Sequence, residues 1–268
     1  MERLIVLGTG AGITVNCYST CFLLQKDEKC LLVDTGSGNQ ILNNIEKLGI
    51  ELNQIHDLFI SHKHIDHLLG IIPFIRKIIQ NMTKKQYAGS LRVYCDREIK
   101  DIIDTFIDST FHNAHTESYR KYVKYTFLED SQKLNIIDYD IEVLDLYSKE
   151  CIQYGFKTKL NNGKIIEFLG DVPLSKKNYE KVENIDIALH EAFCLETEKE
   201  IFKPHEKNHS TVKDVAEVMQ KLNVKEMVLW HTIDNNIPKR KQLYTNEAKK
   251  YFNGKVFVPE DLEIINLF

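Results

Sequence analysis

The segment Phe59-Ile60-Ser61-His62-Lys63-His64-Ile65-Asp66-His67 constrains this chain more than any other. It sets His62, His64, Asp66 and His67 within six residues, directly behind an apolar run. Imidazole and carboxylate groups suit zinc and similar divalent ions. On extended backbone, His62 and His64 leave the chain on the same side, because side chains alternate with a period of two. Asp66 and His67 then fall where the chain turns into a helix, within reach of a second ion beside the first, and Gly70 suits a closely packed helix start. A solvated histidine-rich loop would need no buried strand before it. Two further runs argue against such a loop: Phe168-Leu169-Gly170 leads into Asp171, and Val228-Leu229-Trp230 leads into His231. Three apolar runs that each deliver a ligand type at their end predict one metal centre assembled from strand ends.

The rest of the chain reads as α/β. Short apolar runs at 4–8, 21–25, 29–34, 58–61 and 91–95 predict strands, with helices over 40–48, 69–80 and about 98–109. Residues 111–124 are aromatic and polar without a clean period and read as irregular or partly helical. In the second half, 140–146, 152–159 and 164–169 predict antiparallel strands, with Asn161-Asn162-Gly163 as a hairpin turn. Strands at 185–190, 226–231, 255–258 and 262–265 and helices at 211–222 and 244–251 complete the pattern. No linker or low-complexity stretch divides it, so residues 1–268 are expected to form one α/β domain, two mixed sheets packed together with helices outside.

Composition excludes several classes. At 268 residues with 43% hydrophobic residues the chain can bury a large core, and no apolar stretch is long enough to span a membrane. The first residues lack a basic region followed by a long apolar one, which predicts a cytoplasmic protein. The six cysteines are scattered, with no Cys-x-x-Cys, and no disulfide is expected; Cys17 and Cys21 could share a metal but are expected to be buried thiols. A net charge of −4 does not advertise a polyanion-binding face, so a nucleic-acid substrate is permitted rather than indicated.

The motif His62-x-His64-x-Asp66-His67, the later Gly170-Asp171 and the strand-end His231 resemble the metallo-β-lactamase superfamily, as does Leu31-Leu32-Val33-Asp34-Thr35-Gly36. The resemblance implies an αββα sandwich with two divalent ions, zinc first and manganese or iron as alternatives. His62, His64, Asp66, His67, Asp171 and His231 would be their ligands, and Asp34 a structural acid. His64, where a glutamate would imply di-iron oxygen chemistry, implies hydrolysis. His190-Glu191-Ala192-Phe193, Asn208-His209-Ser210-Thr211 and Leu7-Gly8-Thr9-Gly10-Ala11-Gly12 are similar to segments of the ribonuclease Z branch. Alone, Glu191 would read as a salt-bridging acid and His209 as a neighbour of a helix cap. In the branch's order they imply a general-acid pair, with Glu191 holding His209, beside a metal-activated water that Asp66 orients. The branch further implies a phosphodiester substrate, RNA or a tRNA precursor, and a homodimer.

Three features depart from that branch. Its extra metal-ligating histidine would lie in Val143-Leu144-Asp145-Leu146-Tyr147-Ser148, which has none, and Tyr147 is expected to occupy the position and leave the first metal site weak. Between Tyr147 and Asp171 there is room for a hairpin but not for a long tRNA-clamping arm. An arginine expected near Val15 and Asn16 is missing. The leading expectation is therefore a metal-dependent phosphodiesterase or ribonuclease Z-like endoribonuclease. A small cyclic phosphodiester, a lactone or a thioester is the alternative substrate, and a catalytically silent metal- or RNA-binding protein is the alternative class.

Overall fold

Among residues 1–267, which the computed structural model describes, the apolar runs form two seven-stranded sheets. The strands are β1 (Glu2–Gly8), β2 (Cys21–Lys26), β3 (Lys29–Val33), β4 (Ile55–Phe59), β5 (Leu91–Cys95), β6 (Val123–Phe127) and β7 (Lys133–Ile136), followed by β8 (Tyr139–Asp145), β9 (Tyr154–Lys159), β10 (Ile165–Phe168), β11 (Ile187–Glu191), β12 (Glu226–Trp230), β13 (Lys255–Phe257) and β14 (Ile264–Asn266). One sheet runs β14-β1-β2-β3-β4-β5-β6 and the other β13-β12-β11-β10-β9-β8-β7.

Alternation along each strand divides its side chains between two layers. Leu4 and Val6 join Phe22, Phe59, Phe156, Phe168 and Trp230 in the core between the sheets. Ile5 and Leu7 face outward, into a core shared with the helices Gln40–Lys47, Ile71–Thr83 and Arg97–Thr110. On the other side, Ala188, Met227 and Leu229 pack with the helices Val212–Lys221 and Ile237–Ala248. Val212–Lys221 shows why such a helix forms where it does. Thr211 and Asp214 make a capping box, and Val212, Val215, Ala216 and Met219 are buried along one face. The result is the expected αββα sandwich.

Parallel pairing fixes where the loops meet. β3, β4, β5 and β6 run parallel, as do β10, β11, β12 and β13, so the carboxyl ends of β3, β4, β10, β11 and β12 open on one edge. That is where parallel sheets bind ligands. Under the edge, Phe22 stacks on Trp230 with ring centroids 4.8 Å apart, and Phe168 meets Phe22 edge-on at 5.3 Å. Phe168 and Trp230 come shortly before Asp171 and His231, so packed rings brace the bases of both loops.

The structure adds elements where periodicity was weak. Residues 111–124 contain the helix Asn113–Tyr122, and β6 follows. That helix buries only Tyr119, and β6, an edge strand, only Val123, so neither carries a regular apolar stripe. β7 is likewise an edge strand with one buried residue. The helix Ile237–Ala248 starts ahead of the expected 244–251, its first turn holding a proline, which the free N–H groups there tolerate. No helix among the described residues is long and apolar enough to cross a membrane.

Candidate metal centre

The expected ligands lie just beyond the end of a parallel strand, in the loop that follows, or, for Asp66 and His67, in the short helix Ile65–Leu68 after it. Asp34 directly follows β3 and adopts left-handed backbone with φ 57°, and His231 does the same after β12 with φ 52°. Such backbone costs energy for residues other than glycine and persists only where surroundings enforce it. Gly170 precedes Asp171 with φ 67°, and a Cβ there would lie 2.5 Å from Leu146 Cδ1. Glycine is thus favoured where the chain turns Asp171 into the site, since any side chain would have to displace Leu146. At Gly70 a Cβ would lie 2.1 Å from the Thr35 carbonyl oxygen, which explains the close helix start.

Asp34 organises the histidines from below. Its Oδ1 accepts from the Ser61 backbone N–H at 2.8 Å, and its Oδ2 accepts from Ser61 Oγ at 2.7 Å and from His67 Nδ1 at 2.7 Å. With its Nδ1 proton committed to a buried carboxylate, His67 turns Nε2 toward the centre. This is the carboxylate–histidine arrangement that orients metal-binding imidazoles. His62 Nδ1 lies 3.0 Å from Ser61 Oγ, and His62 Nε2 lies 3.0 Å from His64 Nδ1.

Two groups of candidate ligand atoms form at the expected metal positions, each drawn together within 4.8 Å: His62, His64 and Asp171, and Asp66, His67 and His231; Glu191, His209 and His231 make a third such group beside them. Asp171 Oδ2 faces both groups, 3.6 Å from His62 Nε2, 3.2 Å from His67 Nε2 and 3.4 Å from His231 Nε2. Asp66 Oδ2 is 3.4 Å from both His67 Nε2 and His231 Nε2 and accepts from the Gly12 N–H at 2.9 Å. All of these except His64 are buried.

The electrostatics call for cations. Burial would raise the Asp66 and Asp171 carboxyls, but the surrounding histidines outweigh it and hold both well below the usual carboxylate range. Burial likewise pushes His62 down to about 3, with His67 and His64 adding to the effect against Asp171. His67 moves the other way: despite burial, Asp66, Asp171 and Asp34 hold it well above the normal histidine value. A buried cluster of three carboxylates that keeps one imidazole charged is short of positive charge. The facing nitrogen and carboxylate atoms therefore fit two divalent ions in chemical type, number and polarity.

Glu191 and His209 reach the same site with different partners from those expected. His209 Nδ1 donates to the Asp171 carbonyl at 2.8 Å and lies 3.8 Å from Glu191 Oε2, too far for a hydrogen bond. Glu191, fully buried, instead accepts from the Ser210 N–H at 2.6 Å and the Phe193 N–H at 3.1 Å, so it fixes the chain beside His209 rather than the ring. Phe193 stacks on His209 with centroids 4.7 Å apart and planes 7° from parallel. Burial and then His231 push His209 down to about 4, against Asp171.

Tyr147 is not at the ligand position. Its N–H donates to Asp145 Oδ1 at 2.7 Å, and Lys177 Nζ sits 4.2 Å above its ring. The residue that instead reaches the ligands from this part of the chain is Gln153, 1% exposed just before β9, whose Nε2 lies 2.9 Å from His62 Nδ1 and donates to Asp171 Oδ1. Sequence reasoning missed it because glutamine is not a usual metal ligand. Of the unassigned histidines, His112 and His115 lie near one another with ring centroids 6.1 Å apart, His205 pairs with Asp214 at 2.7 Å and His56 packs on Tyr87; none lines the cavity.

That cavity, about 430 Å³, opens over the ligands and is lined by Gly12, Ile13 and Thr14 on one side and by Phe193, Phe202, Lys207 and Ile233 on another. The hairpin between β9 and β10 turns within residues 160–164, so no long arm is inserted there.

Comparison with known proteins agrees with this architecture. The sequence profile of the family described as "Anti-Pycsar protein Apyc1" matches residues 2–251. A ribonuclease Z of Archaeoglobus fulgidus is 26% identical over 305 aligned positions, covering 98% of this chain and 97% of that protein. The metallo-β-lactamase fold protein YhfI of Bacillus subtilis superposes with a TM-score of 0.79 at 17% identity, covering 98% of each chain. The short form of human tRNase Z superposes with a TM-score of 0.74 at 19% identity, covering 99% of each. The chain therefore has the metallo-β-lactamase fold, is a metal-dependent hydrolase of the ribonuclease Z-like kind, and belongs to the anti-Pycsar protein Apyc1 family.

Proposed function

We propose that this hydrolase acts on a small phosphodiester, ring-closed rather than polymeric, with His62, His64, Asp66, His67, Asp171 and His231 holding two divalent ions. The observation that carries the reading is the open cavity of about 430 Å³ over the ligands, a size that suits one small molecule. The short β9–β10 hairpin and the net charge of −4 supply neither an arm nor a basic face for tRNA. The ions, when bound, supply a Lewis acid for the phosphoryl oxygens and lower the pKa of a water between them. The protein's residues do the rest. Asp66, anchored by the Gly12 N–H, would orient the attacking water, whose proton would pass to solvent. Lys207 in the cavity wall offers a cation to the phosphate. As the water oxygen bonds to phosphorus and the ester P–O bond breaks, His209 gives the leaving alkoxide a proton from Nε2, its Nδ1 being held by the Asp171 carbonyl. The low His209 value suits a group that gains its proton only when a phosphodiester anion lies against it.

A second reading, cleavage of a tRNA precursor, is favoured by the full-length match to the archaeal ribonuclease Z. Three substrates decide between them when assayed on metal-loaded protein: a cyclic nucleotide, bis(p-nitrophenyl) phosphate and a 3′-extended tRNA precursor. We expect the ring-closed and aryl diesters to be hydrolysed and the precursor left intact. Efficient precursor cleavage would overturn the small-substrate reading, and inertness toward all three would overturn phosphodiester chemistry.

The charged His67 makes a separate prediction. Its proton must leave before Nε2 can bind an ion, and its pKa lies well above the usual value. Metal binding near pH 7 should therefore release about one proton, and affinity should rise with pH across the neutral range. Calorimetric metal titrations in two buffers of different ionisation enthalpy measure that release. No release would mean that His67 is already neutral.

A further inference from the structure

We infer that Gln153 is the residue that makes Asp171 a bridging ligand, by holding one carboxylate oxygen so that the other faces both ions. The inference rests on the dinuclear reading above. Asp171 offers two oxygens, and the structure uses them differently. Oδ2 faces His62, His67 and His231, while Oδ1 accepts from Gln153 Nε2. Without that donor the carboxylate would be free to rotate, and Oδ2 would no longer be held facing both groups of ligands.

The surroundings of Gln153 show that this contact directs the side chain. The amide is buried, and its Oε1 has no hydrogen-bond partner among the described residues. A buried carbonyl oxygen left unpaired is unfavourable, and reversal would offer it His62 Nδ1, 2.9 Å away, only at the cost of the Asp171 contact. Reversal would set Oε1 against Asp171 Oδ1, two acceptors in contact. A charge-assisted bond to Asp171 is thus what orients Gln153. Its Nε2 also lies 2.9 Å from His62 Nδ1, so one amide touches two members of the His62, His64 and Asp171 group. Gln153 serves the first metal site by positioning a ligand that the second site shares.

Calorimetric titration with zinc or manganese alone tests this on wild type, Gln153→Met and Gln153→Glu. Gln153→Met keeps the shape and removes the donor. It should weaken binding of at least one metal equivalent by about 10–100-fold, the usual effect of losing a ligand's orienting partner, while the unfolding midpoint of the metal-free protein does not fall. Gln153→Glu can donate to Asp171 only when protonated, so its deficit relative to wild type should narrow as pH is lowered. In an Asp171→Asn background, Gln153→Met should cost far less than in wild type. Unchanged affinities in folded Gln153→Met, or equal costs in both backgrounds, would overturn the inference. Should Gln153→Met fail to fold, the pH dependence of Gln153→Glu decides. Wild type that takes up no metal would instead sink the dinuclear reading itself.

Discussion

Asp171→Ala is expected to abolish metal-dependent hydrolysis and to strip both ions from a protein that remains folded. One oxygen, Oδ2, lies within 3.2–3.6 Å of His62, His67 and His231, so this side chain faces both ligand groups at once. Its removal deprives each group of an anionic donor at once. It also leaves the Gln153 amide without its acceptor and the charged His67 with two carboxylates in place of three. His67→Ala should have a similar effect on activity by a different route, because it takes one nitrogen from the second group and leaves Asp34 Oδ2 with Ser61 alone. The loss should exceed the roughly 10²–10³-fold that follows removal of one hydrogen-bond donor to a transition state. The fold should survive because the site sits on the sheet edge, above the packed rings of Phe22, Phe168 and Trp230. Metal content by emission spectrometry, circular dichroism and turnover of an aryl phosphodiester check the claim together. An Asp171→Ala protein with two bound ions and undiminished turnover would remove the metal centre as the seat of reaction.

Some of this was legible from sequence for a definite reason. Ligands that follow buried parallel strands carry two signals at once, an apolar run and a ligating side chain at its end. His62, Asp171 and His231 stood out for that reason, and the sandwich followed from the runs themselves. The edge strands β6 and β7 bury one residue each and carry no such signal. Partners were harder still. Glu191 was visible as a residue type in order, but the backbone N–H groups of Ser210 and Phe193 that it binds have no sequence signature. The Asp171 carbonyl that holds His209 has none either. Gln153 shows the same limit from the other direction. Tyr147 was expected in the ligand position by alignment of residue types, whereas Gln153 matters because the hairpin brings it against Asp171, which lies 18 residues further along the chain.

His209→Ala should separate leaving-group protonation from all other contributions to catalysis. A metal-activated water attacks many electrophiles, so the ligands alone do not select a reaction class. The leaving oxygen does: a ribose or alkyl alkoxide is strongly basic and departs slowly unless protonated, whereas p-nitrophenolate needs no proton. His209 is placed for that role by the Asp171 carbonyl at Nδ1 and by the face of Phe193, which leave Nε2 as the nitrogen free for the cavity. The variant should therefore lose about 10²–10⁴-fold on an alkyl or ring-closed ribose phosphodiester and far less on bis(p-nitrophenyl) phosphate. Glu191→Gln should shift both substrates in the same sense but more mildly. It retains an oxygen for one of the two N–H donors from Ser210 and Phe193, and so disturbs the chain beside His209 without removing the ring. The pH profile adds an independent check, since burial drives the His209 value down to about 4 and a bound anion must raise it. The acidic form should thus appear in the profile of kcat, which reports the complex, at a higher pH than in that of kcat/KM, which reports the free enzyme. All comparisons are made at saturating metal, so that a loss of ions does not pass for a loss of acid. Equal losses on aryl and alkyl diesters would show that His209 binds or orients substrate without protonating the leaving group, and the proton would then have to come from solvent.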